Sequence, residues 1–317
     1  MLLKSYAVLE IKFAKLFEPL RGLQEKQQKD ATLQLKEQMK RTAVVVTTIG
    51  VVSQCHEARI RHLVETSGNN TDVWVLHAHH VLEKQGRHEA VQDSWNRMQR
   101  IPNLHQEAQE PIQYLPFDEL AGSSKSSFLR FLTQHHEYDF AWIVEDDMFF
   151  AGAWDDLWKS QLQRDSRTDF YTSRKYSQQN TTWYWIDQTP CQVFGQGCRM
   201  VDPQALQVHW MLARVSSRLA HSLLEDVANR HIQGLHEAVV GAYCKQKGFS
   251  VGEIDPVRVA KNIRAGHNGA TPPSLPFESF QPVLPGTLLH PVKCNPDNGE
   301  EIAKEIEKWT ASSKKLE

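Results

Sequence analysis

The chain has 317 residues, 40% of them hydrophobic, with 36 Lys and Arg against 38 Asp and Glu, for a formal net charge of −2. Such neutrality leaves no basic footprint for a nucleic-acid backbone or an anionic membrane, and the apolar content excludes disorder for most of the chain. The length suits one large domain or two modest ones with ample core, and no run approaches the ~18–20 apolar residues of a membrane span.

Met1 to Leu23 is interrupted by Lys4, Glu10, Lys12 and Lys15, so no secretory signal is visible. A Golgi or other secretory location would require an anchor missing from this chain; otherwise the expectation is cytoplasmic. Residues 1–41 read as a helical appendage. Phe13, Leu16, Phe17 and Leu20 recur at helical spacing, and a stretch rich in Gln, Lys and Glu follows. The globular part, residues 42–298, opens with Ala43 to Ile49, a β-branched run that predicts a strand buried on both faces. A helix is expected near Glu57 to Thr66, a second strand at Asp72 to Leu76, and a weaker third at Ile112 to Leu115. Ser123 to Thr133 reads as a helix opened by serines that can cap it, and Phe140 to Val144 as the fourth strand. A helix around Trp154 to Gln163 follows.

Apolar strands alternating with helices predict an α/β domain with a mostly parallel sheet flanked by helices. The pattern then loosens, with Trp183-Tyr184-Trp185 in a polar loop and an extended stretch near Val208 to Val215. Helices are expected over Ser216 to Arg230 and Leu235 to Lys247. The proline-rich segment from Asp255 to Pro291 reads as a long connection wrapped over the surface, and residues 299–317 as a charged terminal helix. Among five cysteines, Cys191 and Cys198 can close a small loop disulfide or stand as reduced thiols. Asn69-Asn70-Thr71 and Asn180-Thr181-Thr182 fit the glycosylation pattern, which chance also produces.

Chemistry concentrates where the fourth strand runs into Glu145-Asp146-Asp147. Ligands of parallel sheets bind outside the carboxyl ends of the strands. Three adjacent acids repel one another unless a positive charge sits among them, and a divalent cation that also takes substrate phosphates is an economical answer. Alternation along an extended backbone would point Glu145 and Asp147 one way and Asp146 the other, with Asp147 as the first metal ligand. The competing reading is a solvated acidic turn that caps the next helix.

An apolar strand ending in an Asp-x-Asp-type acidic triplet, followed by Phe149-Phe150-Ala151-Gly152-Ala153-Trp154, resembles the nucleotide-sugar-binding centre of GT-A-fold glycosyltransferases. The resemblance spans roughly residues 43–293 and rests on short motifs; the usual first Asp is Glu145 here. It implies a GT-A-type, Rossmann-like sheet and transfer of a sugar from a nucleotide diphosphate-sugar to a hydroxyl of a glycan, protein or small molecule. Mn²⁺ or Mg²⁺ would be held by Asp147, Glu145 and His290. Thr47, Thr48, Asp146 and Lys293 would face the nucleotide-sugar, as would Lys125 at the opening of the helix before the acidic strand. An inverting enzyme of this kind places a general base near Glu237, at the start of a predicted helix, with Asp187 in reserve. Trp183, Tyr184 and Trp185 would stack on acceptor sugar, or fold back onto the core.

Two alternatives remain open at this stage. A nucleotidyltransferase would show a Gly-rich basic loop after the first strand, whereas Thr47 to Val52 has one Gly and no Lys or Arg. A non-catalytic relative would bind nucleotide-sugar or glycan, or act as a scaffold. His77, His79 and His80 read as loop histidines because no matching acid or cysteine stands at ligand spacing.

Overall fold

The computed structural model describes residues 42–48, 50–77, 82–83, 85–108, 124–164, 167–172, 175–176, 191–201, 207–208, 210–229, 231–234, 236–254, 258–259, 286–289, 294 and 299–313. The expected helical appendage lies outside them. In chain order the elements are β1 (Thr42–Thr48), α1 (Gln54–Thr66), β2 (Thr71–His77), α2 (His88–Met98), β3 (Leu104–Ala108), α3 (Ser124–Gln134), β4 (Phe140–Glu145), β5 (Phe149–Ala151), α4 (Trp154–Arg164) and β6 (Phe170–Thr172). After these come β7 (Lys175–Tyr176), β8 (Gln192–Val193), β9 (Gln196–Gly197), α5 (Cys198–Val201), β10 (Gln207–Val208), β11 (Leu212–Ser216), α6 (Ser217–Ala228) and β12 (Ile232–Gln233). The last are α7 (His236–Lys247), β13 (Val251–Glu253), β14 (Arg258–Val259), β15 (Thr287–Leu289) and α8 (Gly299–Ser313).

The central sheet has the order β13-β6-β11-β4-β1-β2-β3. Its strands run parallel except β11, which is antiparallel to both β4 and β6. Thus the architecture is the mostly parallel, helix-flanked α/β sheet that the sequence predicts. β1 lies at its centre because a β-branched run fits a strand covered on both faces. Its side chains alternate between two cores. Ala43 and Val45 pack with Ile143, with Phe128 and Leu132 of α3 and with Tyr243 of α7. Val44 and Val46 pack on the opposite face with Ile60 and Leu63 of α1 and Trp154 and Trp158 of α4. A third cluster joins Cys55 and Ala58 of α1 to Phe149, Leu289 and Ile306, so α8 closes over the small sheet formed by β5, β14 and β15.

Several expectations need correction. Leu104–Ala108 is a partly polar edge strand that the sequence did not mark, and whether 112–115 forms the expected strand lies outside the described residues. The long connection does not simply wrap the surface, because its end, Thr287–Leu289, is a buried strand paired with β5. Of the two states left open for Cys191 and Cys198 the structure shows the loop disulfide, and it adds Cys55–Cys294, a pair too distant in sequence to have been read from spacing. Among the described residues no helix is long and apolar enough to cross a membrane.

Candidate active site at the acidic turn

In the parallel ladder Glu145 stands opposite Thr47, so the ends of β4 and β1 share one rim. Past Glu145 the strand stops. The Met148 N–H donates to the Glu145 carbonyl at 3.0 Å, which folds residues 145–148 into a turn, and the Glu145 N–H donates to the Met211 carbonyl at 2.9 Å. Strand alternation therefore ends at Glu145, and the expected pairing of Glu145 with Asp147 on one side does not hold. Glu145 instead forms an ion pair with Lys125 of α3, whose side chain is buried. Asp146 and Asp147 act together on Arg59 of α1, on the other face of the sheet.

Arg59 is the site residue the sequence did not reveal. It is 4% exposed. Burial pushes its guanidinium down to about 10, and the carboxylates of Asp146 and Asp147 oppose that loss of charge. It also donates to the Cys294 sulfur. The signal was an arginine on the buried stripe of α1, in step with Cys55, His62, Leu63 and Thr66. Nothing in the sequence alone distinguished it from Arg61, which pairs with Glu57 at 2.9 Å on the partly exposed side. The turn and α1 enclose a pocket lined by Val46, Arg59, Val144, Asp146, Met148 and Trp154, among others. The need for positive charge among the three acids is thus met in part by the chain itself, through Lys125 and Arg59.

Two anchors bring the far end of the chain to this turn. In the antiparallel pair of β15 with β5, Leu289 stands opposite Phe149. Cys294 is bonded to Cys55 in the first turn of α1. His290 and Lys293 fall between these anchors in sequence and lie outside the described residues.

The same rim includes the entry to β11, which runs antiparallel to β4 with Leu212 opposite Val144. Trp210 precedes Met211, whose carbonyl holds Glu145, and its indole meets the His236 ring edge-on with centroids 5.9 Å apart. Glu237, the next residue, lies in the first turn of α7 and is half-buried. The sequence pointed to Glu237, but it did not identify Trp210 or His236 as the link to the acidic turn. Thr47 is buried, and its hydroxyl has no hydrogen-bond partner among the described residues. Thr48, also buried, stands opposite His77 in the sheet. Asp187, Trp183, Tyr184 and Trp185 lie outside the described residues.

Among the described residues no three His, Cys, Asp or Glu side chains form a metal-holding group. The donor set fits a different arrangement. Asp146 and Asp147 are hard oxygen donors on one turn, suited to Mg²⁺ or Mn²⁺ held by one or two carboxylates with the remaining positions taken by phosphate and water. Glu145 lines the same pocket as Asp146 and Arg59, and one of its oxygens pairs with Lys125.

No protein-family model matches the sequence, and no curated protein matches it. Solved structures similar to this chain include mouse xyloside xylosyltransferase 1 in its apo form, at 10% identity and a TM-score of 0.39, covering 68% of this chain and 85% of that one. Another is the apo WbbM bifunctional glycosyltransferase, at 10% identity and a TM-score of 0.49; 87% of this chain is covered, but only 51%, about half, of that longer protein. A third is the galactosyltransferase LgtC in complex with donor and acceptor sugar analogues, at 9% identity and a TM-score of 0.44, covering 86% of this chain and 96% of that one. All three likenesses fall below a TM-score of 0.5 and say nothing about this chain's activity.

Proposed function

We propose that this chain is a glycosyltransferase of the GT-A type that moves a sugar from a nucleotide diphosphate-sugar to an acceptor hydroxyl with inversion at the anomeric carbon. The observation that supports the reading is the acidic turn after β4 at the carboxyl edge of the parallel strands, with Thr47 of β1 opposite Glu145 and the end of β15 paired to β5 just beyond it. Asp147 would hold Mn²⁺ or Mg²⁺ together with Glu145 and with His290 from the segment after Leu289, and Asp146 on the same turn would face the nucleotide-sugar. When bound, that ion acts as a Lewis acid on the leaving diphosphate.

The remaining roles fall to the chain. Thr47, Thr48 and Lys125 would face the nucleotide-sugar; the Thr47 hydroxyl is buried and has no hydrogen-bond partner among the described residues. Lys293 would meet the diphosphate and stabilise the charge that develops as it departs. Glu237, at the N-terminus of α7, accepts the proton of the acceptor hydroxyl as that oxygen bonds to the anomeric carbon and the carbon–diphosphate oxygen bond breaks. Asp187 is the reserve base, and Trp183, Tyr184 and Trp185 would bind acceptor sugar.

The test is incubation with a panel of nucleotide-sugars and Mn²⁺. Slow release of free nucleoside diphosphate without any acceptor is the expected result, and its absence for every donor would favour a non-catalytic binding protein of the same architecture.

A further inference from the structure

We propose that Asn69 is a modification site, the acceptor of an N-linked glycan in a chain that passes through an oxidising secretory compartment. Asn69-Asn70-Thr71 fits the acceptor triplet. Chance produces such triplets, but two independent features of the fold set this one apart. The first is placement. Asn69 and Asn70 are exposed and form the turn between α1 and β2. Gly68 takes a φ of 80°, so the chain turns sharply off the end of the helix and brings Asn69 to the surface. The main chain around the triplet is pinned: the Thr71 N–H donates to the Gly68 carbonyl at 3.3 Å, and the Asn70 carbonyl accepts from the Thr42 N–H at 3.0 Å. Thr42 stands opposite Thr71, so the turn lies at the amino-terminal edge of the sheet, whereas Glu145 stands opposite Thr47 at the other. The two edges are roughly 16 Å apart along the strands. A glycan on Asn69 therefore leaves the acidic turn uncovered.

The second feature is redox state. Four of the five cysteines are joined, as Cys55–Cys294 and Cys191–Cys198, and Cys244 alone is free. Disulfides persist in secreted and luminal proteins and are rare where thiols are kept reduced. An exposed acceptor triplet in a chain so bonded is in the setting where such triplets are used. The co-reactant is an oligosaccharide linked through its first N-acetylhexosamine to a lipid diphosphate. The Asn69 carboxamide nitrogen bonds to the anomeric carbon and gives up one proton, while the bond from that carbon to the diphosphate oxygen breaks and the lipid diphosphate leaves with the electron pair.

Mass spectrometry of the protein isolated from its own cells tests this. After peptide N-glycosidase treatment in water enriched in oxygen-18, residue 69 is expected to return as aspartate carrying the heavy oxygen; unmodified Asn69 overturns the proposal. Thiol labelling of the freshly isolated, denatured protein should mark Cys244 alone, and labelling of Cys55 and Cys294 overturns the compartment. In the full chain directed into the secretory route of eukaryotic cells, Asn69→Gln and Thr71→Ala should each lose one glycan by gel mobility and Thr71→Ser should keep it. A glycan at residue 69 that survives Thr71→Ala overturns the triplet as its cause. If a variant fails to fold, the wild-type peptide still decides. Sugar transfer by the chain itself enters none of these readouts, so failure here leaves the transferase reading untouched.

Discussion

Leu289 stands opposite Phe149 in an antiparallel ladder, two residues past Asp147. The pairing makes a metal-binding role for the next residue in the chain, His290, a matter of one peptide step from a fixed position. His290→Ala is expected to weaken Mn²⁺-dependent binding of UDP or GDP by about ten- to a hundredfold, the scale of losing a partner at a metal centre. Calorimetric titration of the nucleotide checks this, and unchanged affinity removes His290 from the site.

Asp147→Asn keeps the volume of the side chain and leaves Asp146 facing Arg59. Sugar transfer and metal-dependent nucleotide binding should be lost, with a stability cost of only about 1–2 kcal/mol, as for one weakened buried polar contact. Activity assays and thermal melts on the same preparation separate the cases. A collapse of the melting transition would make Asp147 a structural partner of Arg59 rather than a ligand-binding acid.

Glu237→Gln retains the first turn of α7 and removes the proton acceptor. The expected loss is about 10²–10⁴ in kcat, the usual worth of a positioned general base, with nucleotide affinity unchanged. A fall in affinity with kcat preserved would assign Glu237 to donor binding instead.

Strands β1, β2 and β4 and most of the helices were legible because their apolar residues recur with the period of the element that forms. β3 was not: Leu104-His105-Gln106-Glu107-Ala108 lies at a sheet edge with a partly exposed surface, so no hydrophobic period marks it. The location of the acidic turn was legible, but the direction of its side chains was not, because that depended on where β4 ends. Arg59 was hidden for a related reason. Charge on a helix usually marks the solvated face, and only the three-dimensional path of β4 shows that this one points at carboxylates. The Cys55–Cys294 bond could not be read from a sequence separation of 239.

Asp169 gives the fold an acid-sensitive point. Burial works to raise its pKa, but hydrogen bonds from Arg218, Ser250 and Ser216 outweigh it, and the carboxyl titrates below the ordinary aspartate range. A depressed folded-state pKa means the contribution is complete above the unfolded value of about 3.9 and is lost as pH falls through the lower folded one. Asp169→Asn should therefore lower the melting temperature at pH 7 and flatten its decline below about pH 4. Parallel melting curves for wild type and variant across that range would contradict the assignment.

The bond between Cys55 and Cys294 ties the first turn of α1 to the segment just ahead of α8. Most of the domain is thereby enclosed in one covalent ring. A protease that cuts a single peptide bond anywhere within that ring releases nothing: the fragments migrate as one species in electrophoresis until thiol is added, and then as two. A nicked molecule keeps Arg59, Cys294 and the acidic turn on pieces that cannot diffuse apart, so the rim of the sheet can outlast damage to the loops around it.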